Sequence, residues 1–372
     1  MSERSSTWVG LDAHKKAINV AAFFPVKGLV EFEVANTASA IRQLARRLRD
    51  GAGEGEVFSC YEAGPCGYAL KRALEKHGVQ CSVIAPSLIP VKPGERIKTD
   101  RRDARKLGEL LRAGLLTEVH PPSPEEEAVR DLCRCREDAR DDLLRARHRL
   151  GKMLLRRGIL PSLDMRAWGA PHRKWLRTLH FDDASDQAVF DDYLLAVEHI
   201  EARLKVLETR LQEASQQPLY KEPVAWLRCF RGIDVVTAMT IAAELHGLER
   251  FESPRDLMAY LGLVPSEHSS SDSRRRGGIT KAGNGHVRRT LIEAAWHYRH
   301  RAGVGVALAR RREGQPNAIV GIADKAQIRL CKRFQALSAR GKSKNKVVVA
   351  VARELAGFLW AALRTKHEAT TS

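Results

Sequence analysis

Four acidic side chains near the start of the chain have the types and spacing of a metal site. Asp12 ends an apolar run in VGLDAHK, Glu62 ends another in FSCYEAGP, and Asp100 and Asp103 lie in RIKTDRRDARKLGELL. Gathering four carboxylates is costly unless cations neutralise them. Oxygen ligands around an open site suit Mg²⁺, with Mn²⁺ as an alternative. Two such ions can activate an attacking oxygen and stabilise a leaving one, so these residues predict metal-dependent phosphoryl transfer.

A second interpretation applies to Asp100 and Asp103 taken alone. They are three residues apart and share one helix face. Acids in a first helical turn are ordinarily caps or dipole partners, each worth only about 0.3–1 kcal/mol. The basic residues around them favour a functional role, because a polyanionic substrate needs cations to hold it. We predict such contacts for Arg96, Lys98, Arg101 and Arg102.

The elements that must position these acids alternate over the first ~115 residues. STWVGLDAHKKAINVAAFF and KGLVEFEVA predict three strands, and TASAIRQLARRLRDG a capped helix. A strand, a helix, a strand and the helix from about Asp100 to Ala113 follow. Three meandering strands followed by βα units predict a mixed sheet with packed helices, the strand order of ribonuclease-H-like folds. In that fold the strands ending at Asp12 and Glu62 are neighbours, and the last helix crosses beside them.

The middle of the chain has heptad spacing. The first apolar series runs from Val129 to Met153, interrupted by Arg136, and the second from Phe190 to Ala214. Long helices packed as a coiled-coil arm are the simplest interpretation, and an ordinary helical core is the alternative. We therefore predict three domains: a ribonuclease-H-like domain at 1–120, a helical arm at 121–222 and a basic helical domain at 223–372.

The last section is strongly basic. VAWLRCFRGIDVVTAMTIAAELHGLERF resembles a helix-hairpin-helix, whose turn offers backbone N–H groups to a phosphate. Asp234 stands where a second glycine is usual, so the hairpin serves structure more than binding. Between Arg274 and Arg312 there are ten Arg and one Lys against a single acid, Glu293. A solvated face is the alternative, but the Gly-rich cationic loop favours a nucleic-acid surface made by Arg274, Arg275, Arg276, Lys281, Arg288 and Arg289.

Bulk composition supports a nucleic-acid partner. The chain has 372 residues and a formal charge of +18, an excess that favours a polyanion over the weaker alternative of a basic membrane-surface protein. No apolar run is long enough to span a bilayer, and the N-terminus lacks the apolar core of a signal peptide. Seven cysteines without a CxxC motif indicate reduced thiols, so we expect a cytoplasmic protein without membrane contact.

Several of these blocks resemble a known family. GLDAHK, YEAGP and KTDRRDA are similar to the N-terminal blocks of the DEDD-type insertion-sequence transposases of the IS110 group. AYLGLVPSEHSSSDSRRRGGITKAGNGHVRRTLIEAAW is similar to their C-terminal domain, and the arm fits their coiled-coil linker. The blocks are short but occur in the same order and spacing.

The resemblance implies an activity beyond what the residues show. Members excise and insert their element by recombination between double-stranded donor and target DNA, guided by a structured non-coding bridge RNA, and assemble as tetramers. Their acidic domain is RuvC-like, and Asp12, Glu62, Asp100 and Asp103 match its metal ligands. A C-terminal serine attacks DNA and becomes joined to a phosphate. The matched serine is Ser270, with Ser269 one register step away; Ser271 stands where the family has glycine.

The resemblance therefore predicts a Mg²⁺-dependent, RNA-guided DNA recombinase that works as a dimer or tetramer. Two alternatives remain open. A structure-selective nuclease of the junction-resolvase type would use the four acids and a metal-activated water, without a serine. A non-catalytic nucleic-acid-binding protein, such as a decayed transposase copy, would bind with steep salt dependence but hold no metal at the acids.

Overall fold

A computed structural model describes residues 6–90, 99–248, 250–270 and 273–370, with backbone alone for 268–270, 273–276 and 365–370. The chain divides into two units, residues 1–122 and 123–372. The first unit contains a five-stranded sheet and the second is almost entirely helical apart from one hairpin. None of the helices in these described ranges combines the length and the hydropathy needed to cross a lipid bilayer.

The sheet of the first unit is mixed, as the sequence predicts. Its strands lie in the order β3-β2-β1-β4-β5, with β1, β2 and β3 antiparallel and with β4 parallel to both β1 and β5. The five strands are β1 (Thr7–Ala13), β2 (Ala17–Phe24), β3 (Gly28–Ala35), β4 (Val57–Glu62) and β5 (Gln80–Ile84). The expected meander followed by βα units is confirmed, and β1 and β4 occupy the centre of the sheet.

Helices cover both faces of this sheet. They are α1 (Ala38–Ala52), α2 (Ala69–Lys76) and α3 (Asp100–Arg112). Leu44 of α1 and Leu74 of α2 pack in one buried cluster with Leu11 of β1. On the opposite face, Leu107 of α3 packs with Cys60 of β4. The sheet is therefore the middle of three layers, and α3 alone among these helices covers its second face.

Two long antiparallel helices begin the second unit. They are α4 (Pro124–Arg156) and α6 (Ala184–Ala214), and the short α5 (Ala170–Leu176) lies between them in sequence. Ion pairs join Arg136 to Glu208 and Arg157, which follows α4, to Asp186. The end of α4 therefore lies beside the start of α6, and the two helices run in opposite directions. The heptad positions Ala139, Leu143, Ala146, Leu150 and Met153 of α4 are buried. The coiled-coil interpretation of this pair remains a prediction.

The remaining helices, apart from α11 (Val306–Arg312), share a core with the start of α4. The others are α7 (Pro218–Leu227), α8 (Val235–Leu245), α9 (Pro254–Tyr260), α10 (Gly285–Ala295), α12 (Asn317–Ala339) and α13 (Lys344–Thr370), with a hairpin of β6 (Pro265–Ser270) and β7 (Ser273–Ile279). Val129 of α4 belongs to the same buried cluster as Phe230, Leu330 and Leu355. This cluster contains residues on both sides of position 222. The three-domain division at 120 and 222 stays a prediction.

Candidate functional site

Two of the four acids lie on neighbouring parallel strands. β1 and β4 pair in register up to Leu11 and Tyr61, so the next residues, Asp12 and Glu62, follow side by side. Side chains alternate between the faces of a sheet. Gly10 faces α3, because a side chain there would meet the α3 backbone. Asp12 and Glu62 therefore project from the face that α3 covers, at the carboxyl ends of the two central strands.

Two glycines let α3 approach this face closely. A Cβ at Gly10 would lie 1.9 Å from the carbonyl oxygen of Ala104 and 2.4 Å from the amide nitrogen of Gly108. A Cβ at Gly108 would lie 2.6 Å from the ring of Phe23. Any larger residue would push the helix away from β1. The close packing holds the first turn of α3, with Asp100 and Asp103, beside the end of β1.

Asp12, His14 and Asp100 form a compact group. One potential ligand atom from each lies within 4.8 Å of the others. The Nε2 atom of His14 is 3.1 Å from Oδ2 of Asp12 and 3.6 Å from Oδ2 of Asp100. The Asp12 side chain is 21% exposed, whereas those of His14 and Asp100 are 54% and 61% exposed. The group is therefore anchored at the strand and open on its outer side, as a site that admits a large substrate must be.

The pKa of Asp12 is perturbed by burial and by the charged groups around it. Burial raises its pKa above the ordinary value, and Asp100 and Asp103 raise it further by repulsion, while His14 acts in the opposite direction. The net shift is upward and burial is its largest cause, because the attraction of His14 offsets the repulsion by Asp100 and Asp103. A carboxylate that is repelled by its neighbours is stabilised when a cation binds among them.

The other two predicted ligands lie outside this group. Among the described residues the 4.8 Å group contains neither Glu62 nor Asp103. Glu62 is exposed one strand away from Asp12, and Asp103 is one turn along α3 from Asp100, close enough to raise the pKa of Asp12. Both acids flank the compact group, and their assignment as ligands stays a prediction.

His14 was not predicted from the sequence as a site residue. It follows Asp12 by two positions in LDAHKK, just beyond the end of β1. The backbone N–H of His14 donates to the carbonyl of Ala17 in the turn to β2, and the side-chain amide of Asn36 donates to the carbonyl of His14. These bonds hold the residue beside Asp12. The signal available in the sequence was a metal-ligating residue type at the end of an acid-bearing strand.

The predicted basic contacts around α3 are only partly described. Arg96 and Lys98 lie outside the described residues. Arg101 and Arg102 are exposed in the first turn of α3, next to Asp100. Arg105, one turn later, donates through Nε to Oε1 of Glu31 at 2.9 Å. Exposed guanidinium groups therefore border the acidic group on α3.

Ser270 is the last residue of β6 and pairs with Ser273, the first residue of β7. The alternative nucleophile, Ser269, pairs with Arg274, and Arg275 and Arg276 follow along β7. The backbone register thus sets the predicted serine at the end of β6 and the three arginines on the paired strand β7. Side-chain positions from 268 to 276 lie outside the description, so the assigned roles stay predictions.

Three other predicted nucleic-acid contacts follow the hairpin. Lys281 adopts a positive φ of 57° in the loop before α10. Arg288 donates through Nη1 to the carbonyls of Leu261 and Ala282, both at 2.9 Å. Arg289 forms an ion pair with Glu137 of α4. Arg288 and Arg289 therefore already have partners within this unit, while the predicted binding role of all three is untested.

The predicted hairpin between α7 and α8 has a structural explanation. Gly232 has φ of 81°, and a Cβ there would lie 2.6 Å from the carbonyl oxygen of Ala294. Asp234 caps α8, its Oδ1 accepting the backbone N–H of Thr237 at 2.8 Å. That carboxylate occupies the helix start where a phosphate would otherwise bind. The substitution of aspartate for glycine thus suits a structural turn, as expected.

Comparison with known proteins identifies the family. Residues 9–158 match the DEDD transposase model of IS110-type elements, described as "Transposase", and residues 225–308 match the model described as "Transposase IS116/IS110/IS902 family". The chain is 42% identical over 345 residues to the transposase y4qE of Sinorhizobium fredii, covering 92% of this chain and 83% of that protein. It is 34% identical over 347 residues to the transposase for insertion sequence element IS1533 of Leptospira borgpetersenii, covering 92% and 100%.

A more distant relative is the transposase for insertion sequence element IS1111A of Coxiella burnetii, 26% identical over 59% of each chain. The first family model covers the sheet with the acidic group and the whole of α4, and the second covers the hairpin-bearing part of the helical unit. This chain therefore belongs to the IS110 family of insertion-sequence transposases, enzymes that cleave and join DNA strands.

Proposed function

We propose that this transposase cuts and rejoins DNA with a divalent-metal site on the sheet and a serine nucleophile on the C-terminal hairpin. The observation that carries the proposal is the convergence of Asp12, His14 and Asp100 within 4.8 Å at the end of a central strand. These residues come from separate elements, β1, the turn after it and α3, and only folding brings them together.

The residues present fit a divalent ion. Asp12 and Asp100 offer carboxylate oxygens, and Glu62 on the neighbouring strand and Asp103 one turn along α3 would complete an oxygen-rich set. A cation bound there would favour the ionised form of Asp12, whose pKa is raised by burial. Such an oxygen-rich set suits Mg²⁺ or Mn²⁺. When bound, the ion would supply charge stabilisation at a phosphodiester.

The protein's own residues would orient the site before DNA arrives. Asp12 is fixed by its position in the strand ladder, opposite Asn19 of β2. His14, at 3.1 Å, holds the Asp12 carboxylate in place. Arg101 and Arg102, exposed beside Asp100, would bind phosphates on either side of the reacting one. The acids would thus hold the ion while the neighbouring cations hold the strand.

The proposed covalent step exchanges one phosphate ester for another. The Oγ of Ser270 forms a bond to phosphorus, the bond from phosphorus to one sugar oxygen breaks, and the serine proton leaves so that the sugar oxygen can depart as a hydroxyl. Attack by a sugar hydroxyl on the serine ester reverses the step and joins a new strand. Because one ester replaces another, rejoining needs no external energy source. The proposal requires the acids and Ser270, from one chain or from two, to act on the same phosphodiester.

The partners of the proposed reaction come from the family resemblance. Double-stranded donor and target DNA would be the substrates, a structured non-coding RNA the guide, and a dimer or tetramer the active assembly. The basic segment from Arg274 to Arg289 supports a polyanionic partner by its charge. Sequencing the RNA that copurifies with the protein from its native locus would test the guide; RNA drawn at random from the transcriptome contradicts it.

A covalent adduct tests the nucleophile most sharply. Wild-type protein is incubated with labelled element-end DNA and divalent ion, and the products are separated on a denaturing gel. We expect a protein–DNA adduct that Ser270→Ala removes and Ser269→Ala retains. Loss in Ser269→Ala alone would move the nucleophile by one residue. If Ser270→Ala still cleaved DNA strands without forming any adduct, the protein would be a nuclease with water as the nucleophile, and the recombinase proposal would be wrong.

A further inference from the structure

The end of the α4–α6 helix pair carries a concentrated positive charge. We define the arm tip as residues 144–181, which comprise the last part of α4, the connecting loops and α5. From Leu144 to His180 the sequence contains eight Arg and two Lys against one acid, Asp164. The partner helix α6 differs, because it contains seven acids against three Arg and Lys. The arm tip is therefore a strongly cationic surface outside every site described above.

Only some of these cations are used within the fold. Arg147 and Arg173 both bind Glu201, Arg157 binds Asp186, and Arg177 binds Glu198. Within the described part of the chain, five exposed cations of the arm tip make no ion pair: Arg149, Lys152, Arg156, Arg166 and Lys174. Long exposed cations held close together without counter-charges repel one another, and a polyanion relieves that repulsion.

An apolar cavity lies within the arm tip. It has a volume of about 560 Å³, within the range of about 300–1,000 Å³ typical of sites for small organic groups. Its walls are Leu150, Leu154, Ile159, Trp168 and Trp175, and Lys152 lies among its lining residues. The cavity thus combines a wall that suits a flat apolar ring with a charged rim.

The aromatic wall is held in an unusual conformation. His172 lies between the two tryptophans, with ring centroids 5.3 Å from each. Trp168 adopts φ of 63°, a region that bulky residues rarely occupy. Arg173 donates through Nε to the carbonyl of Trp168 at 3.1 Å and so fixes that turn. Strained backbone of this kind tends to persist at ligand sites.

His172 gives a second, independent indication of a ligand. Its side chain lines the cavity but is only 7% exposed, and its Nδ1 has no hydrogen-bond partner among the described residues. Buried polar atoms in proteins are nearly always paired, and exceptions mark places where another molecule completes the environment. Pure core packing of the tryptophans leaves this nitrogen and the adjoining cavity unexplained.

We infer that the arm tip binds single-stranded DNA, inserting one unpaired base between Trp168, His172 and Trp175 while Lys152, Arg156 and Lys174 bind the flanking phosphates. Unpaired bases stack on aromatic side chains, and basic grooves follow the strand. A base inside a duplex is already stacked and cannot enter. A second copy of the chain is a poorer occupant, because its own tip carries the same positive charge.

Photocrosslinking tests the base site directly. The full chain is mixed with a short single strand carrying one 5-bromodeoxyuridine, in EDTA so that no metal-dependent step contributes, and is irradiated and digested for peptide mapping. We expect crosslinks at Trp168 or Trp175, and none there when the same strand is annealed to its complement. Crosslinks confined to other segments would overturn the inference.

Affinity measurements with matched controls separate stacking from charge. By fluorescence anisotropy at fixed salt, Trp168→Ala should weaken binding of the single strand about 5- to 150-fold. Lys152→Glu with Lys174→Glu should also weaken it, whereas Lys205→Glu with Arg210→Glu should do so much less. The control pair makes the same charge change on α6, about 30 Å along the helix from the tip. An equal loss of affinity in the two double variants would show that binding depends only on net charge, and would contradict a binding site at the arm tip.

Two further outcomes decide the occupant. An RNA strand of the same sequence should bind the arm tip no more tightly than DNA, and preferential crosslinking of RNA at Trp175 would contradict the assignment to DNA. Trp168→Ala should leave the oligomeric state unchanged in light scattering. Dissociation of an oligomer by that change, with DNA binding intact, would show that a second copy fills the cavity. Because the assays need neither Ser270 nor metal, their failure leaves the proposed reaction standing.

Discussion

The carboxylates of the two units are treated in opposite ways. In the second unit, Glu201 receives hydrogen bonds from Arg147 and Arg173, and Glu244 receives them from Arg134 and Asn284. Burial alone would raise the pKa of each acid, but these donors lower it. In the first unit the pKa of Asp12 is raised, with burial and like charges outweighing His14.

This contrast separates structural acids from functional ones. A chain with an excess of 18 positive charges has arginines available to neutralise any carboxylate. It does so along the helices, whereas among the described residues Asp12 has only His14 as a cationic partner and keeps a pKa raised chiefly by burial. A perturbed acid at the end of a central strand is what the proposed cation site requires.

The largest expected effect comes from removing a functional acid. Asp12→Asn should lower DNA cleavage by about 10³-fold or more, because charge stabilisation by a bound ion is worth several kcal/mol. Its thermal stability should be unchanged or slightly higher, because the variant no longer buries a carboxylate whose pKa burial raises. Cleavage assays and melting curves on one preparation measure both. Full cleavage activity in Asp12→Asn would contradict a metal site at Asp12.

The packing that assembles the site should be nearly as sensitive. Gly10→Ala would force α3 away from β1, costing about 1–3 kcal/mol by overpacking and separating Asp100 from Asp12. Chemical unfolding and cleavage rates report the two consequences. Gly321→Ala is the matched control: it lies inside α12 with nothing within 4 Å of the added methyl. That variant should be active and equally or slightly more stable.

Removing a structural acid should have the converse effect. The Glu244 side chain is 2% exposed and paired with Arg134, so Glu244→Ala should destabilise the second unit by about 3 kcal/mol. The sheet unit and its divalent-ion binding should be unaffected. Denaturant unfolding, followed by titration of the folded variant, measures both quantities. If Glu244→Ala lost affinity for the divalent ion but kept its stability, Glu244 would be a functional acid and not a structural one.

The smallest effect is the pH dependence of Glu201. Its folded pKa lies below the ordinary value of 4.5, so its pairing stabilises the protein above that pH and is lost as the pH falls through the folded pKa. Glu201→Gln should therefore be less stable than wild type at neutral pH and lose less stability on acidification below about pH 4.5. Parallel acid-side curves for the two proteins would argue against the ion pairs.

The sequence predicted the sheet because strand patterns are local. The alternation in β1 to β3 and the βα units after them specify a mixed sheet, and the acids at the ends of β1 and β4 follow from that pattern. Family blocks added the match to α3. These patterns involve residues that are close together in the sequence, so they can be recognised from one sequence alone.

The missing parts depend on contacts between distant segments. Gly10 and Gly108 are unremarkable in sequence, and only the docked helix shows that both are needed. Arg134 and Glu244 pair across 110 positions, a choice among many arginines that no spacing rule makes. His14 escaped notice because its value arises from Asp100, a neighbour only after folding.

Binding of Mn²⁺ measured by calorimetry tests the central claim most directly. Wild type should bind the ion, Asp12→Asn should bind it more than about tenfold more weakly, and Glu201→Gln, which removes one charge from the helical unit, should match wild type. The same affinity in all three proteins, or no binding by wild type, would contradict the claim that the strand-end acids gather to hold a divalent ion.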